Sequence, residues 1–244
     1  MLFDDFFQVL YEDNHLLIVN KSPGVLVQPD DSPAPALEVM GKQYLKLKYN
    51  KPGEVFLGVC HRLDRPVSGL VILARTSKAL ERMNKIFRSR EIQKTYWAVV
   101  KRKPAKEKAK LVHWIRKEEH QNRVEIFKHE ESGSQIAELS YQWLGGLNDH
   151  HLLEVTPITG RPHQIRAQLA AIGCPIRGDV KYGFSRANDN GSIHLHARRV
   201  FFEHPVKKTP LLCIAPVPET QFWEQFLVFD KFNPKDANLD FLIS

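Results

Sequence analysis

The residues best suited to chemistry crowd into two short strings. In CHRLDRPVSG, residues 60–69, His61, Arg62, Asp64, Arg65 and Ser68 sit just ahead of the apolar run LVILA. Polar groups gathered at the entrance of a strand suggest a site, and the Asp64 carboxylate is the group there able to act as base or nucleophile. Without a reaction, the same string reads as Asp64 paired with an arginine across a turn that Pro66 fixes. The second string, TGRPHQIRAQL at 159–169, changes that balance. It sets Arg161 beside a helix start and puts His163 and Arg166 three residues apart, on a side distinct from an Ile165, Leu169 and Ile172 stripe. Arg166 can then reach a carboxylate, favour its ionised form and orient it while the helix stays anchored. Histidines offer a rival chemistry. His194 and His196 of HLH share one face of a strand, a geometry that metals use, and with His61, His163 and His204 they would serve a metal-dependent nuclease. No acidic ligand stands at a recognised spacing near them, which favours hydrogen-bonded structural histidines, so no metal site is expected.

Strands must do most of the positioning. Runs at 16–20, 69–74, 95–100, 111–115, 124–128, 151–156 and 211–215 are short and apolar or alternating. Three helices are expected. One spans 78–88 behind a Ser77 cap with Leu80, Met83 and Phe87 as its apolar stripe. A second starts near Pro162 and stops at Gly173. A third lies around 220–228 and buries Phe222, Trp223, Phe226 and Leu227. Strands clustered between few helices, without βαβ alternation, predict an α+β fold on a largely antiparallel or mixed sheet. With no repeat or low-complexity linker, a single domain over 1–229 and a tail over 230–244 are expected.

Five segments in order resemble the RluA-type pseudouridine synthases of the wider RluA/RsuA family. LLIVNKSPGVLVQP (16–29) resembles the strand–NKPxG segment, with Ser22 intervening before Pro23. CHRLDRPVSGLVILART (60–76) resembles the HRLDxxTSG signature, with Val67 for threonine. EIQKTYWAVV (91–100) is similar to the K-x-Y strand, and TGRPHQIRAQLAAIGCPIRGDVKYG (159–183) to GRxHQIRxHL…GDxxYG, with Gln168 where histidine is common. HLHARRVFFEHP (194–205) resembles the LHAxxLxFxHP strand. The resemblance implies the pseudouridine synthase catalytic fold and isomerisation of uridine to pseudouridine in structured RNA. It implies Asp64 as catalytic aspartate, Tyr96 as the tyrosine beneath the target base and Arg166 as the arginine paired with the aspartate. Arg62 falls where some relatives insert an arginine into the RNA stack, and Ile165 where an apolar contact lines the pocket. The HRLDRPxSG string looks like the short tRNA-modifying branch, so transfer RNA is expected ahead of ribosomal RNA.

Such a reaction gains and loses nothing overall and implies no cofactor, in keeping with a sequence that shows no P-loop, GxGxxG or Cys/His zinc pattern. Asp64 either attacks covalently or removes the C2′ proton on the way to a glycal; both routes stay open. The Tyr96 hydroxyl would assist C5 deprotonation, or the residue would be a buried strand tyrosine. Extruding the nucleotide costs a few kcal/mol, and the run KRKPAKEKAK at 101–110, with six basic residues and one acid, offers Lys101, Arg102 and Lys103 as phosphate contacts or as a solvated loop. It precedes a strand carrying Trp114. The whole chain carries 35 Lys and Arg against 28 Asp and Glu, a net charge of +7 that suits a polyanionic partner. Such a surface alone would also serve a catalytically silent RNA-binding module. Three scattered cysteines, an acidic start and stretches without Asp, Glu, Lys or Arg no longer than ten residues predict a reduced, cytoplasmic protein with no membrane span, and a monomer is the default expectation.

Overall fold

The computed structural model describes residues 3–34, 36–118 and 122–234. In chain order its strands and helices are β1 (Phe7–Glu12), β2 (Leu16–Lys21), α1 (Leu37–Lys48), β3 (Gly58–Val59), β4 (Ser68–Ala74), α2 (Ser77–Ser89), β5 (Ile92–Val100) and β6 (Lys108–Lys117). They continue with β7 (Val124–Phe127), β8 (Gln135–Leu147), β9 (His150–Pro157), α3 (Gln164–Ala171), β10 (Leu195–Glu203), β11 (Pro210–Ile214) and α4 (Gln221–Glu224). Eleven strands with four helices among the described residues make the expected α+β fold. The chain divides into two compact units. The first takes the chain up to Lys94, Ala197–Pro218 and the residues from Phe232 on; the second takes Thr95–His196 and Glu219–Lys231. Of the expected tail, residues 235–244 lie outside the described ones.

In the first unit the strand order is β1-β2-β4-β10, with β3 on β4 and β11 on β10. The β1–β2, β2–β4 and β10–β11 ladders are antiparallel. Strand β4, SGLVILA, is buried at every residue, and β2 at all but one, as expected of continuous apolar runs inside a sheet. Gly69 has a structural reason to be glycine. Its φ is +112°, and a Cβ there would lie 2.4 Å from the Ala197 carbonyl oxygen, so no side chain fits where β4 meets β10.

Helix α2 begins one residue earlier than expected because Thr76, not Ser77, caps it: the Ala79 amide donates to Thr76 Oγ1 at 3.1 Å. Its buried residues are accordingly Ala79, Met83 and Ile86, replacing the expected Leu80, Met83 and Phe87 stripe. Helix α1 has no counterpart in the sequence expectations. Its N-terminal Ala36 offers no side-chain cap, and Gly41 interrupts its middle.

In the second unit β5-β9-β8-β6-β7 form a purely antiparallel order. Beneath its end, Ile115, Val124, Ala137, Ala167 and Tyr182 make one apolar cluster that seats α3 against β6, β7 and β8. The final helix is shorter than expected. After α4 the chain tightens into a 3-10 turn at Leu227–Phe229, and Leu227 is exposed, while Trp223 and Phe226 are buried as anticipated.

Candidate active site

Asp64 stands on the loop between β3 and β4, where the Val67 amide donates to the Asp64 carbonyl at 3.0 Å and closes a turn around Arg65 and Pro66. Neighbouring side chains explain why this string folds tightly. Leu63 and Val67 point into the core, whereas Arg62, two residues ahead of Asp64, is exposed. His61, one of the metal candidates, is committed elsewhere. Its Nε2 accepts from the Ile72 amide at 3.0 Å, and burial with the charge of Lys94 pushes its pKa down to about 3. Cys60 is no nucleophile, since burial pushes its thiol up to about 12.

The turn is stapled to the NKSPG segment. The Gly24 amide donates to the Arg65 carbonyl at 2.8 Å, and Arg65 Nε donates back to the Gly24 carbonyl at 3.1 Å. Lys21, at the end of β2 and opposite Gly69, is fully buried. Its ammonium donates to the Ser22 carbonyl at 2.9 Å, the Val25 carbonyl at 2.8 Å and the Arg65 carbonyl at 3.4 Å. Burial pulls this lysine down to about 7, and the Asp64 carboxylate pulls the other way. Residue type alone does not single out Lys21; a charged residue ending an otherwise apolar strand is the signal available in the sequence.

The second unit carries the other candidates. Tyr96 lies on β5 opposite Val155, and Val155 lies opposite Tyr141 on β8, so the three share one face of the sheet. Helix α3 packs on that same face. It starts two residues later than expected, at Gln164, because His163 takes a left-handed conformation (φ 51°) that breaks the helix behind Pro162. Nor is the helix amphipathic: Gln164 to Leu169 are all buried. Its polar side chains are paired, save for Gln168 Oε1, which has no hydrogen-bond partner among the described residues. Gln164 Oε1 accepts from Thr159 Oγ1 at 2.7 Å and the Arg161 amide at 3.0 Å, while its Nε2 donates to the Glu138 carbonyl. Gln168 Nε2 donates to the Ala137 carbonyl at 3.1 Å, tying the helix to β8.

Arg166 is 5% exposed and forms a two-toothed pair with Asp179, Nε to Oδ2 at 2.7 Å and Nη2 to Oδ1 at 2.9 Å. The guanidinium also lies over the Tyr182 ring, 5.0 Å from its centre. The Tyr182 hydroxyl accepts from the Val124 amide at 3.0 Å and shares a hydrogen bond with His163 Nδ1 at 2.8 Å. The carboxylate expected for Arg166 was that of Asp64; Asp179, which residue-by-residue reasoning missed, is a different one. Its signal was the GDVKYG string, which contributes both Asp179 and Tyr182. Ile165 beside Arg166 is buried, 7% exposed.

Of the three basic-turn candidates, Lys101 and Arg102 are exposed, whereas Lys103 is engaged: it pairs with Glu107 at 2.7 Å and its ammonium stands 3.7 Å over the Trp143 ring. His194 is held by Asn188 at 3.0 Å, and burial pushes it down to about 3; His204 Nδ1 accepts from the Val206 and Lys207 amides. Among the described residues no three His, Cys, Asp or Glu side chains are grouped to hold a metal, and no helix is long and apolar enough to cross a membrane.

The family model of RNA pseudouridylate synthase matches residues 15–171. The ribosomal large subunit pseudouridine synthase C of Vibrio vulnificus is 31% identical over 86% of this chain and 66% of its own length, so the chain spans just under two thirds of that relative. An uncharacterized RNA pseudouridine synthase of Haemophilus influenzae is 28% identical over 92% of this chain and 93% of its own. In three dimensions, human RNA pseudouridylate synthase domain containing 4 superposes with a TM-score of 0.73 at 25% identity, covering 91% of this chain and 92% of that one. The matched span contains Asp64, Tyr96 and Arg166, and the chain belongs to the RNA pseudouridylate synthase family.

Proposed function

We propose that this protein isomerises uridine to pseudouridine in structured RNA, with Asp64 as the reacting carboxylate. The observation that carries this reading is the stapled turn at 64–67. Holding the turn of a loop carboxylate by a buried ammonium on the Arg65 carbonyl and by two reciprocal Gly24–Arg65 hydrogen bonds is unnecessary for a solvated turn, but a reacting group must be held in place. Tyr96 then supports the uracil from β5 and assists removal of the C5 proton. Arg166, oriented by Asp179, keeps the role that the family resemblance implies for it, the arginine paired with the aspartate. Ile165 gives an apolar contact in the pocket, and Arg62, exposed near Asp64, fills the stack when the nucleotide leaves. Lys101 and Arg102 hold phosphate. Lys103 contributes there after releasing Glu107.

The transfer RNA preference rests on the HRLDRPVSG string, whereas the Vibrio relative is named for the large ribosomal subunit. Mapping pseudouridines in total RNA from cells lacking this gene decides between them. A monomer in the cytoplasm is the accompanying expectation. The test of the central assignment is Asp64→Asn. The substitution is nearly isosteric, so RNA binding should survive while tritium release from C5-labelled uridine falls to background. Turnover at the parental rate by a deamidation-free preparation would sink it.

A further inference from the structure

Register divides the sheet of the second unit into two faces. Tyr96, Val155, Tyr141 and Ala109 pair in succession across β5, β9, β8 and β6, so they share the inner face, where α3 also packs through Ala167 and Gln168. Trp114 is out of phase with Ala109 on β6 and therefore faces outward. Its cross-strand partners are Ile136 on β8 and Phe127 on β7. At β6 and β8 this outer face is open, with Val112 46% exposed and Ile136 37%, whereas at β5 it is covered, with Trp97 buried. Phe127 is already covered by the Arg116 guanidinium, 4.9 Å from its ring centre, but Trp114 has no hydrogen-bond or ring partner among the described residues.

Cations lead onto this face. Within 101–110, Lys103 is paired with Glu107 and Lys110 with Glu138, while Lys101, Arg102, Lys106 and Lys108 have no carboxylate partner among the described residues. Lys108 opens β6 on the same side as Trp114, six residues before it, opposite Gln142. A half-buried indole with no ring partner among the described residues, beside exposed Val112 and Ile136 and approached by unpaired cations, matches what an unpaired nucleotide strand needs: a flat platform for any base and positive charge for its phosphates.

We propose that the outer face of the second unit's sheet is an accessory binding surface for single-stranded RNA, with a base stacked on Trp114 and phosphates held by Lys106 and Lys108. This rests on the RNA reading above and extends it. Because Tyr96 faces the other side of the same sheet, the segment held at Trp114 is not the one whose uridine meets Tyr96. Unpaired cations favour a polyanion over an apolar protein partner for this face.

The probe is a fluorescent, unstructured oligouridine of about twelve nucleotides, titrated into the full chain by anisotropy. Trp114→Ala should weaken binding about tenfold and Trp114→Phe by much less, since a phenyl ring keeps a stacking surface. Lys106→Glu with Lys108→Glu, both at exposed positions that leave the fold intact, should weaken it comparably and flatten its salt dependence by about two phosphates. Parental affinity in both Trp114→Ala and the double charge variant overturns the proposal. So does an equal loss in Tyr96→Leu, which would put the probe on the inner face, or loss of self-association without loss of RNA binding in Trp114→Ala, which would make the face a protein interface. Pseudouridine formation on total RNA by the parent protein separates the two readings: its absence defeats the RNA reading, whereas its presence with Trp114-independent binding defeats the accessory surface alone.

Discussion

Replacing Asp179 with Ala should cost about 3–5 kcal/mol of stability, because it removes the two-toothed partner of a buried charge. Arg166 is 5% exposed and Asp179 1%, and the two hydrogen bonds at 2.7 and 2.9 Å take the full breadth of the carboxylate. The Tyr182 ring, 5.0 Å from the guanidinium, attracts it more weakly than the carboxylate does. For a chain of this length each kcal/mol moves the melting temperature by roughly 2–4 °C, so the loss should appear as a drop of about 6–20 °C. Thermal and urea melts of Asp179→Ala, Arg166→Met and the double variant form the cycle that isolates the pair. The double variant should recover part of the loss, since removing both charges leaves none to desolvate. A drop in Asp179→Ala below about 1 kcal/mol, the range of an exposed pair, would refute the reasoning. Asp179→Asn adds a functional reading: with the amide still orienting Arg166 more weakly, kcat should fall while RNA affinity holds.

Tyr96→Phe keeps the aromatic face while deleting the hydroxyl, so a deuterium isotope effect at C5 should appear or grow as the last proton loss slows; parental turnover without that change leaves Tyr96 with stacking alone. Lys21 binds its proton at about 7 when folded and at its ordinary 10.5 when unfolded, so between those values the unfolded chain holds more protons and this group makes stability rise with pH. Urea melts at about pH 7.5 and 9.5 should show a gain of roughly 2–3 kcal/mol in the parent that Lys21→Met lacks; equal slopes would remove the depressed lysine. Gly69→Ala should destabilise by more than the roughly 1–3 kcal/mol of a strained backbone alone, because its Cβ would collide with the Ala197 main chain; a melt within about 2 °C of the parent, less than one kcal/mol moves it, would show that the strands separate easily.

The strands were legible because their side chains carry the pattern: β4 reads SGLVILA and is buried throughout. Helix α1 was hidden by Gly41, whose absent side chain serves packing, since a Cβ there would lie 2.6 Å from Leu57. Strand β8 has no counterpart among the expected runs; its Gly145 and Gly146 lie beside a bulge, with the Phe229 ring 2.3 Å from where a Gly145 Cβ would stand. Tertiary contact, not local preference, decides such positions. At the site, Asp64, Tyr96 and Arg166 could be named from motif positions, but Lys21 and Asp179 act through partners 43 and 13 residues away in sequence, and spacing along one chain does not encode who meets whom.

The division of the chain between its units has a consequence for how the protein is made. The first unit's sheet needs β10 beside β4, and β10 comes off the ribosome more than a hundred residues after β4. The second unit is completed later still, by Glu219–Lys231, which adds Trp223 against His194 and His196. Neither unit is a contiguous stretch of chain, so neither can close while synthesis is under way at its middle. Pairings this distant carry a large loop-closure cost before they return any stability. Folding should therefore be largely post-translational and slow, with β4 and its LVILA run uncovered in the nascent chain, which makes the nascent protein a natural client for chaperones.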